Sequence, residues 1–214
     1  MHNQLLYNYI CIEGNIGAGK TSLAGKLAED FNGKLILEQF EDNPFLPKFY
    51  NDPSKYAFPL ELSFLASRYQ QVKDQLSAMD LFRSFVVSDY FINKSLIFAR
   101  KTLQDDELAL FNRLFHIIIS TVPKPELLIY LYVDIKRLQQ NIKHRGRIYE
   151  QAIEDAYLEK IQFGYLDYLR QLPDTRVLLL DTNKLDFVGN DRHYQQLLDV
   201  INKKYAPGIH RFAF

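Results

Sequence analysis

The segment Gly14-Asn15-Ile16-Gly17-Ala18-Gly19-Lys20-Thr21 fits the pattern G-x-x-x-x-G-K-[ST], between an apolar run that reads as a strand and a segment of helical periodicity. Glycines there let successive backbone N–H groups converge on phosphate oxygens, and the helix N-terminus adds partial positive charge. Lys20 would reach the β- and γ-phosphates and the Thr21 hydroxyl would ligate Mg²⁺, so the chemistry indicated is binding of ATP, with Ser22 completing the loop. Such a site leaves the phosphate acceptor open. Three further segments bear on it: Glu38 ends a second strand, Asp89 follows a third, and Arg145-Gly146-Arg147 lies after a helix beyond the fourth. In a parallel sheet, ligands gather at the carboxyl ends of strands, so these groups should converge on the phosphate loop. A solvated surface charge is the plain alternative for any one of them taken alone.

The elements that must position these residues are visible as alternating patterns. Runs rich in β-branched and aromatic residues, Tyr9 to Ile12, Lys34 to Leu37, Phe85 to Val87, Leu127 to Val133 and Val177 to Leu180, read as buried strands. Helical periodicity covers Lys20 to Asp30, Tyr56 to Met79, Phe91 to Thr102, Glu107 to Ser120, Ile135 to Lys143 and Ile153 to Leu172. Strand alternating with helix implies an α/β fold, a five-stranded parallel sheet with helices on both faces. Prolines 44, 47, 53, 123, 125 and 173 punctuate the breaks, but no stretch is long or polar enough to be a linker, so residues 1–214 read as one domain. The helices over 56–79 and 91–102 look apolar enough to face a partner subunit.

Composition narrows the function classes. Of the residues 47% are hydrophobic and 24% charged, enough apolar material for a sizeable core. Lys+Arg and Asp+Glu both number 26, and this balance argues against nucleic-acid polymers and acidic membranes as general partners. A single cysteine, Cys11, and five scattered histidines provide neither an intramolecular disulfide nor a zinc cluster. That usage points to a reducing, cytoplasmic home. The longest apolar runs fall far short of the ~20 residues that cross a bilayer, and no leader pattern opens the chain, so a soluble, unprocessed protein is expected.

With these residues in hand, the chain resembles the deoxyribonucleoside kinases from Tyr9 to about Phe187, and within them the bacterial deoxyguanosine kinase branch. The resemblance rests on 12–21, on Glu38 with Asp42-Asn43-Pro44-Phe45-Leu46, on Tyr50, on 58–65 with Arg68, on Ile97-Phe98-Ala99, on Arg145-Gly146-Arg147-Ile148-Tyr149-Glu150, and on 181–187. It implies a P-loop kinase fold with a short arginine-bearing lid at about 143–152, acting as a homodimer. The implied reaction is ATP-dependent phosphorylation of a deoxynucleoside 5′-hydroxyl in salvage. In that reading Glu38 is the general base, Lys20, Arg145 and Arg147 stabilise the transferring phosphoryl group, and Asp89 helps Thr21 hold Mg²⁺ directly or through water. Tyr50 and Glu150 bind the 3′-hydroxyl, with Tyr50 crowding the 2′ position; Phe98 stacks on the base beside Phe64 and Leu60. Asp186 and Phe187 match the loop that holds the adenine of ATP.

Departures from the family pattern carry information of their own. Glu61 stands where most relatives have Gln. Gln offers one donor and one acceptor, whereas an ionised Glu offers acceptors only, which suits the adjacent N1–H and 2-amino donors of guanine. Arg68, seven residues on and on nearly the same helix face, would donate to guanine O6 or hold Glu61 in place; alternatively Glu61 pairs with Arg68 and never meets a base. Tyr90 and Phe91 follow Asp89 where relatives have Arg-Ser, and Asn141 stands in place of the first lid arginine, so either another cation serves or the step is slower. Lys94 stands either in that role or near guanine O6. Deoxyguanosine is thus the expected acceptor, with deoxyadenosine or a broad range as the alternative. From a different class, a non-catalytic nucleotide-binding regulatory subunit would explain the missing arginines. A nucleotide kinase would need a cationic clamp for the acceptor phosphate, and 38–68 offers little beyond Lys48 and Lys55.

Overall fold

The computed structural model describes residues 4–39, 43–77 and 83–214; Asp42 and the expected end of the long helix at Met79 lie outside them. The elements run β1 (Tyr9–Gly14), α1 (Lys20–Asp30), β2 (Lys34–Ile36), α2 (Leu46–Asn51), α3 (Pro53–Ser77), β3 (Val86–Ser88), α4 (Lys94–Thr102), α5 (Asp105–Ile119), β4 (Leu127–Tyr132), α6 (Ile135–Arg145), a 3₁₀ turn (Ile148–Glu150), α7 (Asp155–Leu169), β5 (Arg176–Asp181), α8 (Asp191–Ile201) and β6 (Gly208–Ala213). All strand pairs are parallel, in the order β2-β3-β1-β4-β5-β6. After β1 the chain lays β2 at one edge and returns to place β3 between it and β1, then from β4 builds outward on the other side. The crevice therefore opens at the carboxyl end of β1, where the 14–21 loop lies.

Strand alternation divides the core between the two faces of the sheet. Ile10, Ile12, Leu127, Ile129 and Leu131 pack with Leu23 and Leu27 of α1, Leu138 and Ile142 of α6, and Leu197 and Ile201 of α8. Cys11, Leu128 and Tyr130 turn the other way, onto Leu65 of α3, Leu96 and Ile97 of α4, Phe111 and Phe115 of α5, and Ile161 and Tyr165 of α7. On α4, Leu96, Ile97 and Ala99 are thus committed to the core, and large apolar side chains reach the surface on α5 (Leu110, Ile117) and α7 (Phe163). No described helix is long and apolar enough to cross a membrane.

The expected five strands are present, but the sheet has a sixth. Strand β6 adds to β5 from Arg176↔Gly208 to Asp181↔Ala213. Its sequence, Gly-Ile-His-Arg-Phe-Ala, lacks a continuous apolar run because an edge strand keeps one side in water. The helix that carries the crossover, α8, shows two signals absent from the reading of periodicity above. Asn190 Oδ1 caps it by accepting from Arg192 N at 3.0 Å, and Tyr194, Leu197 and Ile201 share its inner face. Helix α4 starts at Lys94 rather than Phe91, because Phe91 and Ile92 are drawn into the core ahead of it.

The turn into β2 decides where Glu38 can lie. A Cβ at Gly33 would sit 2.5 Å from Phe85 Cε1, so the chain passes against that ring only as glycine. Gly33→Ala should cost about 1–3 kcal/mol through overpacking, seen as a lower urea midpoint with an unchanged slope.

Candidate active site

At the end of β1, Gly19 takes φ 90° and meets the ring of Phe187; a Cβ there would lie 2.8 Å from Phe187 Cζ. Lys20 Nζ folds back to donate to the carbonyls of Gly14 and Asn15, each at 3.0 Å. Asn15 Oδ1 accepts from Ile16 N at 2.9 Å while its amide donates to Leu158 O at 2.8 Å, tying the loop to α7. Burial, with Lys94 nearby, draws Lys20 down to about 8, which leaves it mostly charged at neutral pH. Beyond the loop lies a cleft lined by 17–22, by Arg137, Asn141, His144, Arg145 and Arg147, and by 185–189. Asp186 and Phe187 line this cleft, with Phe187 against Gly19 of the phosphate loop.

Helix α6 carries three polar residues one turn apart on this side. Asn141, in the place of a lid arginine, donates to Gly17 O at 2.8 Å and so braces the loop backbone. Arg137 donates to Leu185 O at 2.6 Å and to the carbonyls of Thr182 and Asn183, fixing the segment that carries Asp186 and Phe187. The i, i+4, i+8 spacing of Arg137, Asn141 and Arg145 was the sequence signal that would have found Arg137.

A second cleft adjoins the first, and Lys20, Thr21, Arg145 and Arg147 line both. Its inner end holds Glu38, Asp89, Arg68 and Lys94 with Glu61, Phe64 and Phe98; Tyr50 and Glu150 close the side. Glu38 is clamped by two cations: Arg68 Nη2 lies 2.6 Å from Oε1 and Lys94 Nζ 2.6 Å from Oε2. Burial alone would raise this carboxyl, but Lys94 and Arg68 outweigh it and hold Glu38 at about 2. Asp89 Oδ1 accepts from Glu38 N at 2.7 Å, and Oδ2 accepts from Thr21 Oγ1 at 2.5 Å. A hydroxyl and a carboxylate side by side at the phosphate loop suit a hard cation whose remaining ligands are phosphate and water oxygens.

The position after Asp89 is filled differently from expectation. Tyr90 is fully buried beside Ile36 and Val72, and Phe91 N donates to Glu13 Oε1 at 2.6 Å. Lys94, at the first turn of α4, reaches Glu38 and lies 5.9 Å from the Phe98 ring centre. Arg68 does not hold Glu61: its guanidinium forks between Glu38 and Ser95 Oγ, the latter at 2.6 Å, and lies 4.7 Å over the Phe64 ring. Glu61 accepts instead from Thr102 Oγ1 at 3.2 Å. Burial pushes the Glu61 carboxyl up to about 7, with Arg68, the Thr102 hydrogen bond and Lys94 countering only part of it.

On the opposite wall Glu150 accepts from Arg145 and, at 3.4 Å, from Arg147, and the Tyr50 ring stacks on Tyr149 with centres 6.3 Å apart. Phe98 meets Tyr165 edge-on at 6.3 Å, and the Tyr165 hydroxyl donates to Glu13 Oε2 at 2.8 Å. Glu13, Ser95, Thr102 and Arg137 are the polar residues of the site that the sequence reading passed over. Glu13 ends an apolar strand, and a carboxylate that reads as buried needs donors, which was its signal.

Comparison with known proteins agrees with this arrangement. The deoxynucleoside kinase family model matches residues 10–205. A deoxyguanosine kinase of Bacillus subtilis is 37% identical over 193 residues, covering 88% of this chain and 93% of that one. A deoxyguanosine kinase of Lactobacillus acidophilus is 32% identical, covering 91% and 90%, and a deoxyadenosine/deoxycytidine kinase of B. subtilis is 28% identical, covering 90% of each. In three dimensions, deoxyadenosine kinase from M. mycoides with the products dCMP and a flexible dCDP superposes with a TM-score of 0.79 at 22% identity, over 91% of this chain and 98% of that one. That likeness establishes the P-loop kinase fold, and the match along the sequence establishes more: the chain belongs to the deoxynucleoside kinase family.

Proposed function

We propose that the protein transfers the γ-phosphate of ATP to the 5′-hydroxyl of a purine deoxynucleoside, deoxyguanosine before deoxyadenosine, giving the deoxynucleoside monophosphate. The observation that carries this reading is the junction of two clefts at Lys20, Thr21, Arg145 and Arg147, with Glu38 on the acceptor side of it. A cleft on each side of a shared set of cations suits in-line transfer between two bound substrates. The relatives named deoxyguanosine kinases support the choice of acceptor.

In this reading the 14–22 loop cradles the phosphates of ATP while Asp186 and Phe187 hold its adenine. Glu38 accepts a hydrogen bond from the 5′-hydroxyl. A carboxylate this acidic orients the nucleophile and takes the proton late, once the new P–O bond has made the hydroxyl oxygen positive; the bond from Pγ to the ADP oxygen breaks in the same event. Lys20, Arg145 and Arg147 stabilise charge on the transferring group. Thr21 and Asp89 would hold Mg²⁺, which supplies Lewis-acid neutralisation of the phosphate oxygens when bound. Tyr50 and Glu150 fix the sugar, and Glu150 meanwhile keeps Arg145 and Arg147 at the cleft mouth. Phe98 stacks on the base, Glu61 takes N1–H and the 2-amino group of guanine, and Lys94 anchors Glu38. A cytoplasmic homodimer fits this role, with Leu110, Ile117 and Phe163 as the apolar surface available to it; sedimentation of Ile117→Asp and Phe163→Asp variants as monomers would bear that out.

Incubation with γ-labelled ATP should place label on deoxyguanosine. Tight ATP binding with no transfer to any deoxynucleoside would overturn the reading in favour of a regulatory subunit. Glu38→Gln should lower kcat by about 10²–10⁴ with the KM for ATP nearly unchanged. Glu61→Gln should lower kcat/KM for deoxyguanosine relative to deoxyadenosine by about 10² or more, and an unchanged preference would remove Glu61 from base reading.

A further inference from the structure

The base end of the acceptor cleft contains a carboxylate whose nearest arginine is committed elsewhere. Glu61 is 2% exposed, and Arg68 of the same helix forks between Glu38 and Ser95. Among the described residues, the hydrogen bond that reaches Glu61 comes from Thr102 Oγ1 at 3.2 Å, and that same hydroxyl lies 2.9 Å from Phe98 O. A hydroxyl carries one proton and can accept as well as donate. With Glu61 ionised, Thr102 donates to the carboxylate. With Glu61 neutral, Thr102 donates to the Phe98 carbonyl instead, which leaves the single proton of the acid free for an acceptor on a bound base.

We propose that Glu61 gives one pocket two base specificities: as a carboxylate it takes the two adjacent donors of guanine, and as a neutral acid it pairs with an acceptor beside a donor, the edge shown by adenine and cytosine. The inference rests on the base-reading role of Glu61 stated above. The neutral acid offers the same donor and acceptor as a glutamine, with its O–H directed to adenine N1 and its carbonyl accepting from the 6-amino group. Guanine facing that acid would meet a donor with a donor, and adenine facing the carboxylate would meet an acceptor with an acceptor. Each mismatch leaves a buried polar pair unsatisfied.

The groups around Glu61 allow the change to fall near neutrality. Burial places its carboxyl at about 7, and Glu38, held at about 2, keeps its charge throughout that range. Arg68 on α3 stays charged, its pKa raised despite burial by Glu38 and Glu61. Tyr50 on α2 and Tyr157 on α7, which face Glu61 from the other side, are raised by burial and remain neutral. Lys94 on α4, Asp89 after β3, and Arg145, Arg147 and Glu150 of the lid complete the charged lining. Lys20, drawn down to about 8, belongs to the phosphate site and acts on every acceptor alike. Because the acceptors share one 5′-hydroxyl and one set of reacting groups, the ratio of their kcat/KM values cancels Lys20, Glu38 and the lid, leaving what the base pocket does.

The test is that ratio, deoxyguanosine over deoxyadenosine, in the intact enzyme from about pH 6 to pH 8. It should rise about a hundredfold, tenfold from growth of the carboxylate and tenfold from loss of the acid, and in Glu61→Gln it should be flat. A second readout needs no variant and no turnover: calorimetry near neutral pH in buffers of different ionisation enthalpy should show proton release on binding deoxyguanosine and proton uptake on binding deoxyadenosine. A flat ratio in an enzyme that phosphorylates deoxyguanosine, or proton exchange of the same sign for both acceptors, overturns the switch and leaves the kinase reading standing. Absence of transfer to deoxyguanosine at every pH overturns that reading itself.

Discussion

The clamp on Glu38 is the constraint on which the rest of the site depends. A carboxylate this buried would take up a proton unless cations met it, and it is met on both oxygens, by Arg68 from α3 and Lys94 from α4. Those helices lie on one face of the sheet, packed through Leu65, Leu96 and Ile97 onto strand residues Cys11, Leu128 and Tyr130. Asp89 ties the backbone of Glu38 to Thr21, so the ends of β2 and β3 and the start of α1 are held by a single carboxylate. Glu38, two residues beyond the short strand β2, is therefore located by four other elements rather than by that strand alone.

A parallel sheet brings these groups together at its carboxyl edge, and the two faces supply different halves of the site. The face carrying α1, α6 and α8 builds the nucleotide cleft, with Asn141 and Arg137 bracing its loops. The face carrying α3, α4 and α7 builds the acceptor cleft. Glu13 joins the two at the centre of the sheet by accepting from Phe91 N, Gly14 N and the Tyr165 hydroxyl. Its burial, which raises its own pKa, is tolerated because three donors converge on it and Lys94 and Lys20 lie near.

What was legible in the sequence follows from what each signal depends on. The phosphate loop, the five apolar strands and the long helices were readable because local pattern and tertiary role coincide there. Strand β6 was not, since Gly208–Ala213 is an edge strand whose pairing with β5 requires α8 to bring it back. Glu38, Asp89, Arg145 and Arg147 were found through their places at strand and helix ends together with family resemblance. Their partners were harder to read. Arg68 had a stated role toward Glu61, yet its contacts are with Glu38 and Ser95, a choice between two carboxylates that helix spacing cannot make. Lys94 had two stated roles, and its contact is with Glu38, at the first turn of α4 just after Phe91, whose N–H is held by Glu13.

That choice by Arg68 links chemistry to specificity. The acceptor cleft contains more than one buried carboxylate, and the cations near its floor, Arg68 and Lys94, both go to Glu38. Arg68 brings both Nε and Nη2 to Oε1 of Glu38, which leaves Oε2 to Lys94, so each carboxylate oxygen has its own cation. Glu61 is left with a hydroxyl, which compensates a buried charge far less than a cation does. Glu38 is consequently fixed in charge and position, while the Glu61 carboxyl is raised by burial with little to offset it. Making Glu61 as firmly ionised as Glu38 would need a second buried cation where the base must lie, and a cation there would occupy the very acceptors that guanine uses. A site that reads guanine through a carboxylate must leave that carboxylate short of partners until the base arrives.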